Sequence, residues 1–260
     1  MAIRIAFANQ KGGVGKSTIC TQTAFFLAER YQKRVLLIDF DAQGNSTQTI
    51  MQTNPVTGTF SHELLNAELK SIQLMDSPYK NIKLIGTPIN CTDSYEAETI
   101  DLSLCVYPAE HLKQLDDQFD FILMDCPPSL GRKLVAALIA TDYVVCPIKV
   151  SGYAITGLEG LFDTITQIQE GINPEMKVAG AIVNEFDGGR SHKQALAAVQ
   201  EALPDLIFEN LIRHRPPIDA AQAEGVPIWK VPHGLAAAVE FRHVVEELMQ
   251  RIGVELEHKE

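Results

Sequence analysis

Short, continuous apolar runs alternate along this chain with longer stretches of helical spacing. "VLLID", "FILMD" and "YVVCPI" are apolar at successive positions. Neighbouring side chains of a strand point to opposite faces, so such runs suit strands covered on both sides. Strands are predicted over Arg4–Asn9, Arg34–Phe40, Ile82–Gly86, Phe121–Cys126, Tyr143–Val150, Val178–Asn184 and Leu206–Ile212. Helices are predicted over Lys16–Tyr31, Ala109–Asp116, Leu130–Ala140, Thr156–Gln169, Ser191–Ala202, Ile218–Glu224 and Leu235–Ile252. This order implies an α/β fold, a doubly wound and mostly parallel sheet with helices on both faces and ligands at the carboxyl ends of its strands. Residues 50–80 break the rhythm: "MQTNPVTGTF" is turn-rich, and "SHELLNAEL" reads as a short helix. With no repeat, low-complexity tract or linker, residues 1–260 are expected to form a single domain.

Composition adds a few exclusions. Hydrophobic residues make up 46% and charged residues 21% of the 260, an ordinary globular balance. The net charge of −11 gives no global attraction to nucleic acid or anionic lipid, and only a local basic patch could supply it. Five scattered cysteines without a C-x-x-C pair are expected to be reduced thiols of a cytoplasmic protein. The start, "MAIRIAFANQ", has no signal-peptide pattern, and no apolar stretch is long enough to span a bilayer.

The chemistry begins at "NQKGGVGKST", residues 9–18. A strand, three glycines (Gly12, Gly13, Gly15), a lysine, a hydroxyl and a helix follow in the order a phosphate-binding loop requires. Glycines let backbone N–H groups converge on an anion, and the helix adds its free N–H groups and positive end. Lys16 would reach the β- and γ-phosphates, the Ser17 hydroxyl would bind Mg²⁺, and Thr18 could donate to the α-phosphate. The usual pattern asks for glycine where Gln10 stands, and it does not ask for Lys11. Lys11 is a second cation beside the phosphates, or else a solvated loop lysine.

Two carboxylate segments follow. "VLLIDFDAQGN" puts Asp39 and Asp41 at a strand end, on one face by their i, i+2 spacing. Charges there need a metal or solvent, and a carboxylate so placed can orient an attacking water. "FILMDCPPS" fits a Walker B strand in which Asp125 holds Mg²⁺ through water, with Pro127 and Pro128 ending the strand.

These segments carry a resemblance. K-G-G-x-G-K-[ST], over Lys11, Gly12, Gly13, Val14, Gly15, Lys16 and Ser17, is similar to the deviant Walker A motif of the ParA/MinD class of ATPases. D-x-D-x-Q-G-N and D-x-P-P-S resemble the ParA forms of the two carboxylate segments, and "TDYVVCPIKVSGYAITGLEGL" a further family segment. "AIVNEFD" places Asn184 where ParA-like proteins contact adenine, while Glu185 breaks the guanine-reading N-K-x-D pattern. "IRHRPPIDAAQAEGVPIW" occupies the place of a second base-side loop: Gly225, Pro227 and Ile228 match, Arg213 replaces proline and Ala220 an acidic residue. Asn184 and Arg213 are the candidate base-side residues, though Asn184 also reads as a turn residue.

The resemblance spans nearly the whole chain and implies a ParA/Soj-like partition ATPase, with "GVPIWK" hinting at plasmid or integrative-element relatives. It implies ATP and Mg²⁺ as ligands, with Asp41 as catalytic carboxylate and Asp39 on the metal side. It also implies an ATP-dependent homodimer in which Lys11 reaches the partner's phosphates, non-specific DNA binding, and slow hydrolysis stimulated by a ParB-type partner. DNA binding would need basic residues such as Arg190, Lys193, Arg213, Arg215, Lys230 and Arg242, yet the last helix and the ending "VELEHKE" are acidic. A ParA-like ATPase positioning another cargo, or a small-molecule ligase of the same fold, are the alternatives. A membrane-binding relative would end in a basic amphipathic helix, which this chain lacks.

Overall fold

The computed structural model describes residues 1–54, 57–150 and 156–256. Positions 151–155 of the "TDYVVCPIKVSGYAITGLEGL" segment and 257–260 of the acidic ending therefore lie outside the described residues.

Among the described residues, seven strands form one sheet. They are β1 (Ile3–Phe7), β2 (Val35–Asp39), β3 (Met75–Asp76), β4 (Ile82–Ile85), β5 (Phe121–Asp125), β6 (Tyr143–Lys149) and β7 (Lys177–Asn184), in the spatial order β3-β4-β2-β5-β1-β6-β7. Every pairing is parallel except β3 with β4. The helices are α1 (Lys16–Phe25), α2 (Asn45–Met51), α3 (Thr92–Glu96), α4 (Tyr107–Leu112), α5 (Arg132–Ile139), α6 (Thr156–Gly171), α7 (Arg190–Ala202), α8 (Pro216–Glu224) and α9 (Leu235–Arg251).

The apolar runs are buried on both faces, as their lack of alternation requires. Leu36, Ile38, Ile122 and Met124 pack against Leu134 of α5 and Leu161 and Ile165 of α6. The intervening Leu37 and Leu123, with Ile5 and Phe7, pack against Ile19 of α1 and Phe241 and Val245 of α9. Burying a ring such as Phe241 contributes roughly 1.5–3 kcal/mol, so the two cores hold β1, β2 and β5 in fixed register.

Several elements differ from expectation, the unpredicted short β3 and α3 among them. Leu206–Ile212 does not form a continuous strand. Ile207 and Arg213 make isolated parallel bridges to Ala181 and Phe186, Phe208 and Ile212 still donate to carbonyls of β7, and the chain leaves the ladder over residues 209–211. There the Glu247 carboxylate of α9 accepts the N–H groups of Glu209 and Asn210, both at 2.9 Å, in place of strand carbonyls. "SHELLNAEL" forms a 3₁₀ turn over Ser61–Leu65, closed by Glu63 accepting the Phe60 N–H. "NSTQTIM", unpredicted, is the helix α2.

Candidate functional site

β1 ends at Phe7 in the sheet interior, and the chain turns through Gly12, Gly13 and Gly15 before α1 begins. Gly13 and Gly15 have φ of +71° and +93°, the left-handed region that costs glycine nothing. A Cβ on Gly15 would lie 2.1 Å from the Asn184 side-chain nitrogen, so the loop is closed down against β7. Asn184 Nδ2 donates to the Val14 carbonyl at 3.0 Å, and Asn9, which follows β1, accepts the Lys11 N–H at 2.9 Å through Oδ1. No side chain caps α1, so its first N–H groups remain available to an anion.

The two lysines of this loop differ. Lys16 is buried, with Nζ donating to the Lys11 carbonyl at 3.3 Å. Burial lowers its pKa, and the carboxylates of Asp125 and Asp41 counter that shift. Lys11 is exposed, and its ammonium makes no ion pair among the described residues.

The carboxylates gather beneath the loop. Asp39 is fully buried: Oδ1 accepts the Asp41 N–H at 3.1 Å, and Oδ2 accepts the Thr47 N–H and hydroxyl at 2.8 and 2.7 Å. Burial and the neighbouring Asp125 push its pKa well up, opposed by the Thr47 donors. Asp125 is also fully buried; Oδ2 accepts from the Ser46 hydroxyl at 2.7 Å, while Oδ1 has no hydrogen-bond partner. Burial pushes its pKa up to about 6, opposed by the hydroxyls of Ser17 and Ser46 beside it. Asp41 lies beyond the end of β2, with Oδ1 accepting the Gln43 N–H at 3.0 Å, and it faces the cleft. An unpartnered carboxylate oxygen, a second buried carboxylate and a nearby hydroxyl form an all-oxygen donor set suited to Mg²⁺.

A cleft of about 350 Å³ opens over the loop and Asp41, while Asp39 and Asp125 lie buried outside its lining. Gly12, Gly13, Gly15, Lys16, Ser17, Thr18 and Asp41 line it, with Asn184 and Glu185 at the end of β7. Arg213 is not brought in: its guanidinium pairs with Glu240 at 2.8 Å, and the next residues, His214 and Arg215, line the cleft instead. Thr18 donates its hydroxyl to Gln222 of α8. Gln222, Ser46 and Thr47 are the site residues that sequence reasoning missed. A pair of hydroxyl residues directly after "DAQGN" was the available signal for two of them. Of the proposed DNA contacts, Arg215 shares Glu240 at 2.8 Å, Lys230 pairs with Glu29 at 2.7 Å and Arg242 with Glu246 at 3.8 Å.

A phosphate loop after a central parallel strand, with carboxylates at the two neighbouring strand ends, defines an α/β nucleotide-binding protein of the P-loop class. Comparison with known proteins narrows this. Residues 2–178 match the family model described as "AAA domain". The chromosome-partitioning ATPase Soj of Thermus thermophilus is 32% identical, over 96% of this chain and 96% of its own. The ATP complex of Cyanothece McdA shares the fold with a TM-score of 0.86 at 20% identity, covering 99% of both chains. Cobyrinic acid a,c-diamide synthase of Mycobacterium smegmatis, with bound ADP and magnesium, is 26% identical with a TM-score of 0.74 over 100% of both chains. The chain belongs to the ParA/MinD-type ATPases. No helix among the described residues is long and apolar enough to cross a membrane.

Proposed function

We propose that the protein is a partition ATPase whose ATP-bound form is a homodimer that associates with DNA and is reset when a ParB-type partner stimulates hydrolysis. The observation that carries this reading is the opposite disposition of two lysines in one loop. Lys16 is buried against its own cleft, whereas Lys11 has its backbone anchored by Asn9 and its ammonium exposed and uncommitted. An anchored backbone with a free cation suits a lysine that reaches a phosphate outside its own subunit.

Ser17, Asp39 and Asp125 would hold Mg²⁺, directly or through water, and the bound ion would supply positive charge beside the phosphates. The loop amides and Lys16 bind and orient the phosphate chain, and Asp41, facing the cleft, orients the attacking water. Lys16 in cis and Lys11 in trans then stabilise charge developing on the transferred phosphoryl group. Because one of these lysines belongs to the other subunit, hydrolysis is tied to dimerisation.

A second reading, a cargo other than DNA, is favoured by one fact: Arg213, Arg215, Lys230 and Arg242 each already pair with a glutamate. Two measurements separate the claims. Lys11→Ala should keep most ATP binding and lose the ATP-dependent dimer by light scattering; normal dimerisation would refute the trans role. Wild-type protein that dimerises with ATP yet is not retained on DNA at moderate salt would refute the DNA claim alone.

A further inference from the structure

Outside the nucleotide cleft, three side chains with metal-ligating atoms meet from two distant segments. His62 sits in the 3₁₀ turn Ser61–Leu65, Cys91 directly precedes α3, and Asp93 lies in the first turn of that helix. One ligand atom from each lies within 4.8 Å of the others, and His62 Nε2 is 3.9 Å from Asp93 Oδ2.

Two features separate this trio from a chance surface cluster. The His62 side chain is only 14% exposed, and its Nδ1 is buried without a hydrogen-bond partner. At 3.9 Å its Nε2 is too far from Asp93 for a hydrogen bond. A buried polar nitrogen left unpaired is unfavourable, and a bound ion would need one imidazole nitrogen as a ligand. Secondly, the donors are a nitrogen, a sulfur and an oxygen. Mg²⁺ and Ca²⁺ take oxygen ligands, whereas Zn²⁺ takes all three types.

We propose that His62, Cys91 and Asp93 form a three-ligand site for a dication of the Zn²⁺ class, with the fourth position open to solvent. Zinc bonds of about 2.0–2.3 Å place tetrahedral ligands roughly 3.3–3.7 Å apart. The trio must therefore contract by up to about 1 Å, and the Asp93 side chain, 74% exposed, can rotate towards the other two. Nearby, buried Lys133 donates to Ser94 at 3.0 Å, and Glu98, 4.0 Å from it, offsets its charge.

The location gives the site consequence. Beside His62, the Ser61 hydroxyl is 2.6 Å from that of Thr87, which donates to the Asp39 carbonyl at 2.6 Å. An ion joining His62 to α3 would brace the wall of the nucleotide site that carries Asp39.

The test uses the full chain, stripped of metal by a chelator, desalted, and titrated with Co²⁺ in excess Mg²⁺. The expected result is a thiolate-to-cobalt charge-transfer band that saturates at one equivalent and disappears when Zn²⁺ is added. Cys91→Ser should abolish the band, and His62→Gln and Asp93→Asn should each weaken Co²⁺ binding at least tenfold with unchanged circular dichroism. The exposed Asp93 position keeps the test valid if His62→Gln fails to fold. Absence of the band in wild type, or its persistence in Cys91→Ser, would overturn the proposal; so would undiminished Co²⁺ affinity in Asp93→Asn. Persistence would assign the band to one of the buried thiols Cys20, Cys105, Cys126 or Cys146.

Discussion

Asp39 and Asp125 are register partners, side by side at the carboxyl ends of β2 and β5. Two adjacent residues of α2 hold them, with Ser46 donating to Asp125 and Thr47 to Asp39. Two buried carboxylates in adjacent strands repel each other, and a dication with Lys16 is the natural relief.

The contribution of Asp125 to the stability of the metal-free protein should therefore fall as pH rises from 3.8 through about 6. The Asp125 pKa rises from 3.8 to about 6 on folding, so between these values the folded state binds the proton more tightly than the unfolded one. Its contribution is most favourable below about pH 4, declines through pH 6, and remains unfavourable above. A shift of that size corresponds to at most about 3 kcal/mol. Asp125→Asn should thus exceed wild type by ~1–3 kcal/mol at pH 7.5 in chelator, with the difference vanishing towards pH 4. Urea midpoints across this range check it, and parallel pH profiles would show that Asp125 carries no such penalty.

Gly15→Ala should abolish nucleotide binding while leaving the chain folded. The added Cβ meets Asn184 at 2.1 Å in a backbone held at φ +93°, so the loop must open. Calorimetric titration with ATP should show at least a tenfold loss. Asn184→Ala in the same background should recover only part of it, because the backbone strain persists.

Asp41→Ala should separate binding from hydrolysis. ATP affinity should stay within severalfold of wild type while turnover drops by ~10²-fold or more, the usual contribution of a positioned base. The ATP-bound dimer should then accumulate. Unchanged turnover would move the role to another carboxylate.

Glu240→Gln should loosen both Arg213 and Arg215, because one carboxylate holds both guanidiniums and the Arg213 N–H. If these arginines serve DNA, retention should strengthen and the salt dependence steepen by about one or two counterions. An unchanged salt slope in gel-shift titrations would remove them from any DNA surface.

Much of this site was legible in the sequence because it is local. The loop residues Gly12 to Ser17 act through their own backbone and the helix they start. The apolar runs declared strands buried on both faces, and those strands formed. The misses follow from partners far along the chain. α2 has no apolar stripe in "NSTQTIM"; its Ser46 and Thr47 hydroxyls bond to Asp125 and Asp39. The expected strand Leu206–Ile212 is interrupted because Glu247, on the last helix, takes its N–H groups. Arg213 stays out of the candidate cleft, its guanidinium paired with Glu240.

The sequence by itself determined the order of strand, loop and helix, the glycines and lysine of the candidate phosphate loop, and the presence of a second lysine. These depend on neighbours in the chain, where covalent geometry sets position. The tertiary structure alone decided that Asp39 and Asp125 share one end of the sheet, that Lys16 turns inward and Lys11 outward, and that His62 meets Cys91 and Asp93. Those relationships depend on the strand order β4-β2-β5-β1 and on which side chains it leaves to compete for each carboxylate.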